Sequence, residues 1–284
     1  MNVLIFGAAG MLGSDLRATI PAGVTVTGID IGEADITDRA QVASALEAIR
    51  PDWVINAAAY TAVDRAETDR AAAEAVNTVG PRFIAQEAAR WNIAVAHFST
   101  DYVFPGTANA PYRESDPVAP INAYGDTKWQ GEEAVRASGA HALILRTQWL
   151  FGVAGKSFPR LMWERALARV PTRVVDDQRG RPTYTRDLAA ATWKLVTQRA
   201  SGTIHVTNGG APAAWYDVAR EVFARAGADG LLSACSTADY PTPARRPAYS
   251  VLSTERLESR LGAPLPEWRD ALGRFLDELT ASSP

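Results

Sequence analysis

The 284-residue chain is short of cysteine, holding only Cys235. One thiol excludes an internal disulfide and offers no metal cluster. It also lacks an excess of either charge: 29 Lys and Arg against 32 Asp and Glu leave a formal net charge of −3. The two signs are interspersed, which argues against a dedicated nucleic-acid surface or a polybasic membrane patch. No uninterrupted apolar stretch approaches the length needed to span a bilayer. The opening MNVLIFGAAGMLG carries no basic residue before its apolar stretch and meets glycine at position 7. It reads as a buried first strand and not as a secretion signal. Low-complexity linkers and internal repeats are missing too. These absences point to a reducing, cytoplasmic setting with no nucleic-acid and no membrane partner.

What is there suits a globular protein with a full core: 47% of residues are apolar and 21% charged. The first half alternates two kinds of segment. VLIF (3–6), VTVTGI (24–29), DWVINAA (52–58), IAVAHFST (93–100) and ALILRT (142–147) are short and strand-like. DRAQVASALEAIR (38–50), an Ala-rich run through FIAQEAARW (83–91), and AYGDTKWQGEEAVR (123–136) have helical character. The alternation implies βαβ units, a doubly wound parallel sheet, and an α/β fold. After about residue 150 the rhythm loosens. Helical segments are expected at 157–169, 185–199, 215–226 and 266–279, separated by proline-rich loops such as YPTPARRP (240–247). These later segments are expected to pack on the sheet as a smaller subdomain.

The first strand runs into Gly7-Ala-Ala-Gly10-Met11-Leu12-Gly13 just where a helix should open. Glycine at such a turn lets backbone approach a diphosphate, and the helix start presents free N–H groups and a positive dipole end. The third glycine lets helix and strand pack closely. Asp30 ends the second strand, where a carboxylate can accept hydrogen bonds from an adenosine ribose and disfavours a 2′-phosphate. Together these features predict dinucleotide binding. The small residues of NAAAYTA (56–62) leave room for a flat cofactor over the strand ends.

Ser99, Thr100 and Asp101 emerge at the same carboxyl edge, after the fourth strand. Tyr124 and Lys128 are spaced to share one helix face, a turn apart. An ammonium near a phenol is expected to lower the tyrosine pKa, making it a proton donor for an alkoxide left by hydride transfer. A solvated lysine beside an aromatic anchor is the bland alternative.

The GxxGxxG loop, the strand-end hydroxyl and the YxxxK pair resemble the extended short-chain dehydrogenase/reductase family. NAAAYTAVDRAE, STDYVFPG, NAYGDTKWQGE, LRTQWLF and YPTPARRPAYSVL are similar to one branch of it, the dTDP-4-dehydrorhamnose reductases, over nearly the whole chain. The resemblance implies a Rossmann-like dinucleotide-binding domain at 1–150, with segments near 183–208 returning to it. It implies a mainly substrate-binding subdomain over 151–284. It also implies NADPH or NADH as cofactor and reduction of the 4-keto group of a dTDP-sugar.

Carried over by position, Tyr124 is the proton donor, assisted by Lys128 and Thr100. Gly7, Gly10, Met11, Leu12 and Gly13 surround the diphosphate, and Asp30, Asp35 and Ile36 the adenosine. Ala59, Tyr60 and Thr61 line the cofactor cleft, with Tyr124 and Lys128 at its reactive end. Thr100, Asp101 and Trp149 match substrate contacts, and one of Arg179, Arg181, Arg245 and Arg246 is expected to touch the substrate diphosphate.

Some family members pair through magnesium held by acidic residues. Here Asp15 matches one such position but Arg186 stands at another, which argues against a magnesium-bridged dimer and leaves monomer or homodimer. No metal is expected. Two alternatives stay open. One is a related nucleotide-sugar epimerase or dehydratase, although STDYVF lacks the dehydratases' acidic pair after the threonine. The other is a non-catalytic regulatory subunit that holds a dinucleotide.

Overall fold

The computed structural model describes residues 1–281. Its first strand, β1 (Asn2–Phe6), divides its side chains between two faces: Val3 and Ile5 enter one core, Leu4 and Phe6 another. A strand buried on both sides reads as a continuous apolar run. The chain continues through α1 (Met11–Ala18), β2 (Thr25–Ile29), α2 (Arg39–Ile49), β3 (Trp53–Asn56), α3 (Arg70–Glu74) and α4 (Gly80–Arg90). A π-helical segment, Ala75–Val79, joins α3 to α4. Then come β4 (Ala94–Thr100), α5 (Ala123–Ala137) and β5 (Ala142–Thr147).

The second half contains β6 (Leu150–Phe151), α6 (Phe158–Leu167), β7 (Thr172–Val175), β8 (Arg179–Gly180) and β9 (Thr183–Tyr184). It goes on through α7 (Thr185–Thr197), β10 (Gly202–His205), β11 (Ala213–Ala214) and α8 (Trp215–Arg225). It ends with β12 (Leu232–Cys235), α9 (Glu255–Leu261) and α10 (Trp268–Ala281).

Six strands form one parallel sheet in the order β10-β5-β4-β3-β1-β2. This is the doubly wound architecture the alternation predicts. On one face, α1 and α7 bury Leu12, Leu16, Leu188 and Trp193, and the indole of Trp193 donates to the Leu16 carbonyl at 3.0 Å. On the other, α2 and α4 bury Val42, Leu46, Ile84 and Ala88. From β1 the chain winds outward to β2 and then crosses to β3 on the opposite side. The order therefore switches between β1 and β3, where a crevice opens at the carboxyl ends of the strands.

A second core gathers Phe151, Met162, Tyr184, Phe223, Phe275 and Leu276 from β6, α6, β9, α8 and α10. Short pairings brace it: β7 with β12, β8 with β11, and β6 with β9. Between two contributions to this core, α7 and β10 return to the main sheet, β10 lying at its edge beside β5.

Candidate active site

The turn after β1 is made of close approaches. Gly7 has φ +79°, and a Cβ there would meet the Ala58 nitrogen at 2.6 Å. A Cβ on Gly13 would sit 2.1 Å from the Gly7 carbonyl oxygen, so α1 rests directly on its own loop. Gly10 caps α1 without any side-chain hydrogen bond, leaving the positive end of the helix available to an anion. A cavity of about 340 Å³ lies along this edge, lined by Gly7, Gly10, Asp30, Asp35, Ile36 and Tyr60 among others. Asp30 already serves the loop: its carboxylate accepts the N–H of Ala9 at 2.8 Å and that of Ile31 at 2.9 Å. Asp35 accepts the N–H and hydroxyl of Thr37, both at 2.8 Å. The Leu12 side chain lies in the core beneath α1, so only its backbone can face a phosphate. Met11 instead packs beside Gly152. Gly-bounded clearance, an uncapped helix start and a carboxylate at the strand end together fit a dinucleotide.

Ala59 and Tyr60 border the same cavity, and Thr61 follows on the exposed side. The backbone of Tyr60 is clamped by Asn77, which the sequence reading missed. Asn77 Oδ1 accepts the Tyr60 N–H at 2.9 Å, and Nδ2 donates to the Tyr60 carbonyl at 3.0 Å and to Thr127 Oγ1 at 3.3 Å. Asn77 is buried on the π-helical segment, a departure from α-helix often seen at functional sites.

Helix α5 is set in place by its cap. The Asn122 side chain accepts the Gly125 N–H at 2.8 Å, and a Cβ on Gly125 would meet the Tyr102 carbonyl oxygen at 2.1 Å. Tyr124 and Lys128 then face the end of β4. Tyr124 packs, like Tyr60, against Ala66, Ala73 and Ala123, lies edge-on to Tyr102 at 5.8 Å, and shares a hydrogen bond with Thr100. The Thr100 hydroxyl donates to Asp101 Oδ1 at 3.0 Å. Lys128 Nζ donates to the Phe98 carbonyl at 2.6 Å.

The expected electrostatic coupling is not met here. Burial pushes the Tyr124 phenol up to about 12, against the pull of Thr100 and with the Asp101 charge adding to the rise. Burial brings Lys128 down to about 8, with Glu132 opposing. The ammonium is committed to a backbone carbonyl, so desolvation governs the phenol in place of the cation.

Glu132, one turn beyond Lys128, is held by Nε and Nη2 of Arg146, each at 2.8 Å, and by Ser99 Oγ at 2.5 Å. Ser99 and Arg146 are register partners across β4 and β5, so one carboxylate ties helix to both strands. Burial alone would raise its pKa, but Arg146, Ser99 and Arg136 hold it below the usual carboxylate range. The i,i+4 spacing from Lys128 was the available signal; the partner on β5 had none.

On the other side of Thr100, Trp149 adopts φ +48° and stacks on Trp215 with ring centroids 3.6 Å apart. A Cβ on Gly180 would strike the Trp149 ring at 2.4 Å, so this posture needs glycine there. Both tryptophans are half-buried and pack against the second core.

A cavity of about 610 Å³ follows, lined by Phe158, Met162, Trp215, Arg165, Arg173 and Arg246 among others. Of the four arginines considered from sequence, Arg246 alone lines this cavity. Arg179 pairs with Asp217 at 3.1 Å, Arg181 donates to the Leu252 carbonyl at 3.3 Å, and Arg245 offers its carbonyl to Asn122 at 2.9 Å. Arg165 and Arg173 escaped the sequence reading, because lone arginines in a helix and a strand carry no motif. Asp15 is held by the hydroxyl of Thr185, and Arg186 pairs with Glu278. Among the described residues no group of three or more His, Cys, Asp or Glu could hold a metal ion.

Residues 1–281 match the family RmlD substrate binding domain. The chain belongs to this family. Among relatives of the RmlD family member described here, a "Probable dTDP-4,6-dihydroxy-2-methyloxan-3-one 4-ketoreductase" of Streptomyces antibioticus is 45% identical, covering 100% of the chain and 98% of the relative. A dTDP-4-dehydrorhamnose reductase of Burkholderia thailandensis is 40% identical over 98% of the chain and 99% of the relative. A crystal structure of dTDP-4-dehydrorhamnose reductase from Bacillus anthracis in complex with NADP superposes with a TM-score of 0.94 at 35% identity, covering 98% of this chain and 99% of that one.

Proposed function

We propose that this RmlD family member uses NADPH or NADH to reduce the 4-keto group of dTDP-4-dehydro-L-rhamnose, forming dTDP-L-rhamnose in the cytoplasm. One observation carries the reading: Thr100 and Tyr124 share a hydrogen bond at the carboxyl end of β4, with Lys128 a turn along α5 and directed at the same strand. Tyr124 packs against the same alanine cluster as Tyr60, which lines the smaller, glycine-bounded cavity; it meets Tyr102 edge-on, and Arg246 of the larger cavity acts on Tyr102. A dinucleotide fits the first and a sugar nucleotide the second.

When bound, the reduced nicotinamide supplies a hydride to the carbonyl carbon. The hydroxyls of Thr100 and Tyr124 hold the carbonyl oxygen, and Tyr124 gives it a proton. Lys128 reaches the nicotinamide ribose from the same helix face. Arg246, Arg165 and Arg173 offer planar forks to the diphosphate, and Trp149 an aromatic wall to the sugar. Asp30 leans the adenosine end toward NADH. The same site would serve a related dTDP-4-keto sugar, a reading favoured by the name of the 45% identical Streptomyces relative.

The test is loss of nicotinamide absorbance with each cofactor and each of the two keto sugars. Turnover is expected with at least one sugar, and Tyr124→Phe should lower kcat about 100-fold or more while cofactor affinity stays within about twofold. A folded chain that retains NAD and oxidises neither cofactor would favour the epimerase or the regulatory subunit.

A further inference from the structure

Helix α5 is capped by Asn122, a buried side chain that makes two hydrogen bonds in opposite senses. Its Oδ1 accepts the Gly125 N–H at 2.8 Å and so starts the helix. Its Nδ2 donates to the Arg245 carbonyl at 2.9 Å, 123 residues further along the chain. A donor partner on one side and an acceptor on the other fix which way the amide points. Serine or an ionised aspartate would cap α5 about as well, yet neither has a second atom that donates. The cap alone therefore does not account for asparagine at this position.

The bond to Arg245 closes a triangle of three segments. Asp64 and Glu67 belong to the segment after β3. Asp64 accepts the Ala244 N–H at 3.1 Å and the Arg246 guanidinium at 2.9 Å. Glu67 accepts the Ala123 N–H at 2.8 Å, at the start of α5. Asn122 supplies the third side. Among the described residues no other hydrogen bond joins the loop 240–247 to α5 or its cap. Two of the corners bear on the site: Arg246 lines the larger cavity, and Tyr124 stands two residues past the cap.

We infer that Asn122 is a positioning residue that couples the substrate loop to the catalytic helix. The inference rests on the reductase reading, in which the sugar-nucleotide diphosphate meets Arg246 and the keto group meets Tyr124. Through Asn122, the loop that grips one end of the substrate is seated on the helix that protonates the other. Without the amide the loop leans on Asp64, and ordering it draws on the free energy of binding.

Asn122→Ser keeps an oxygen for the Gly125 N–H and loses the bond to Arg245. KM for the dTDP-sugar is expected to rise about three- to tenfold, as for one hydrogen bond, with kcat and KM for NADPH within about twofold. Asn122→Ala removes the cap as well, so kcat should fall too; serine should restore kcat but not KM. Titration with dTDP alone needs no turnover, and N122S should weaken that affinity by the same factor. On an Arg246→Ala background the serine should add nothing, because both changes remove one grip. An unchanged dTDP affinity in N122S, or an equal further loss on the R246A background, overturns the coupling and leaves Asn122 a helix cap. Hydrogen exchange of the wild type, with and without dTDP, requires no variant. Slower exchange is expected both in 240–247 and at the start of α5, and slowing confined to the loop overturns the coupling. If dTDP affinity falls as expected but the wild type reduces neither keto sugar, the reductase reading fails while the seat of the loop on α5 stands.

Discussion

Asp101 carries a cost in stability, because burial raises its carboxyl against the hydrogen bonds it accepts. Its folded-state pKa is raised to about 7, whereas an unfolded aspartate titrates near 4. Above pH 4 the unfolded chain releases this proton while the folded chain keeps it, so the contribution to stability falls as pH rises from about 4 to 7. Asparagine escapes that loss. D101N should therefore be more stable than wild type at pH 8, by on the order of 2 kcal/mol, and about equal to it at pH 4. Urea midpoints at the two pH values check this; equal midpoints at pH 8 would mean that the carboxyl is not desolvated as the fold implies. Glu132 has the opposite sign: its pKa is lowered, so its contribution is present above the unfolded value and lost on acidification.

Elements differ in how plainly they were written in the chain. β1, its glycine turn and α1 were legible because each obeys a local rule: an apolar run, a positive-φ position at Gly7, and a helix that must start beside it. α5 was legible through its YxxxK spacing, whereas its Asn122 cap shows only in the structure. The two-residue strands β6, β8, β9 and β11 were not, since they are too short for any periodicity and exist only through partners brought from elsewhere. The direction of the Tyr124 shift was also hidden: it depends on burial and on where Lys128 points, neither of which spacing reveals. Asn77 left no signal, because its clamp on Tyr60 spans 17 residues and forms on a helical irregularity.

The glycine turn supports the most direct element-scale test. A Cβ on Gly13 would lie 2.1 Å from backbone, where no flexible side chain can give way. Gly13→Ala should separate α1 from its loop, weaken NADPH binding about tenfold or more, and cost a few kcal/mol of stability. Isothermal titration and denaturant unfolding measure the two effects. Unchanged cofactor affinity would show that this loop is not the diphosphate cradle.

At the scale of the whole molecule, the C-terminal loop crosses back to the first half of the chain beside the site. Asp64, in the segment after β3, accepts the Ala244 N–H at 3.1 Å and the Arg246 guanidinium at 2.9 Å. Arg246 is 16% exposed and lines the larger cavity, while Asp64 is 43% exposed. An ion pair with so open a carboxylate adds little to stability, so a loss on removing Arg246 reports mainly on what the guanidinium does for a ligand. A charge-assisted hydrogen bond to a phosphate is worth roughly 1.5–3 kcal/mol. Arg246→Ala should thus raise KM for the dTDP-sugar about tenfold or more, leave KM for NADPH unchanged, and shift the melting temperature only slightly. In wild type, dTDP alone should raise the melting temperature by binding the folded state, and in R246A that increment should shrink. If dTDP protects the variant as well as the wild type, the diphosphate rests on Arg165 or Arg173, and Arg246 serves only to fasten the loop to Asp64.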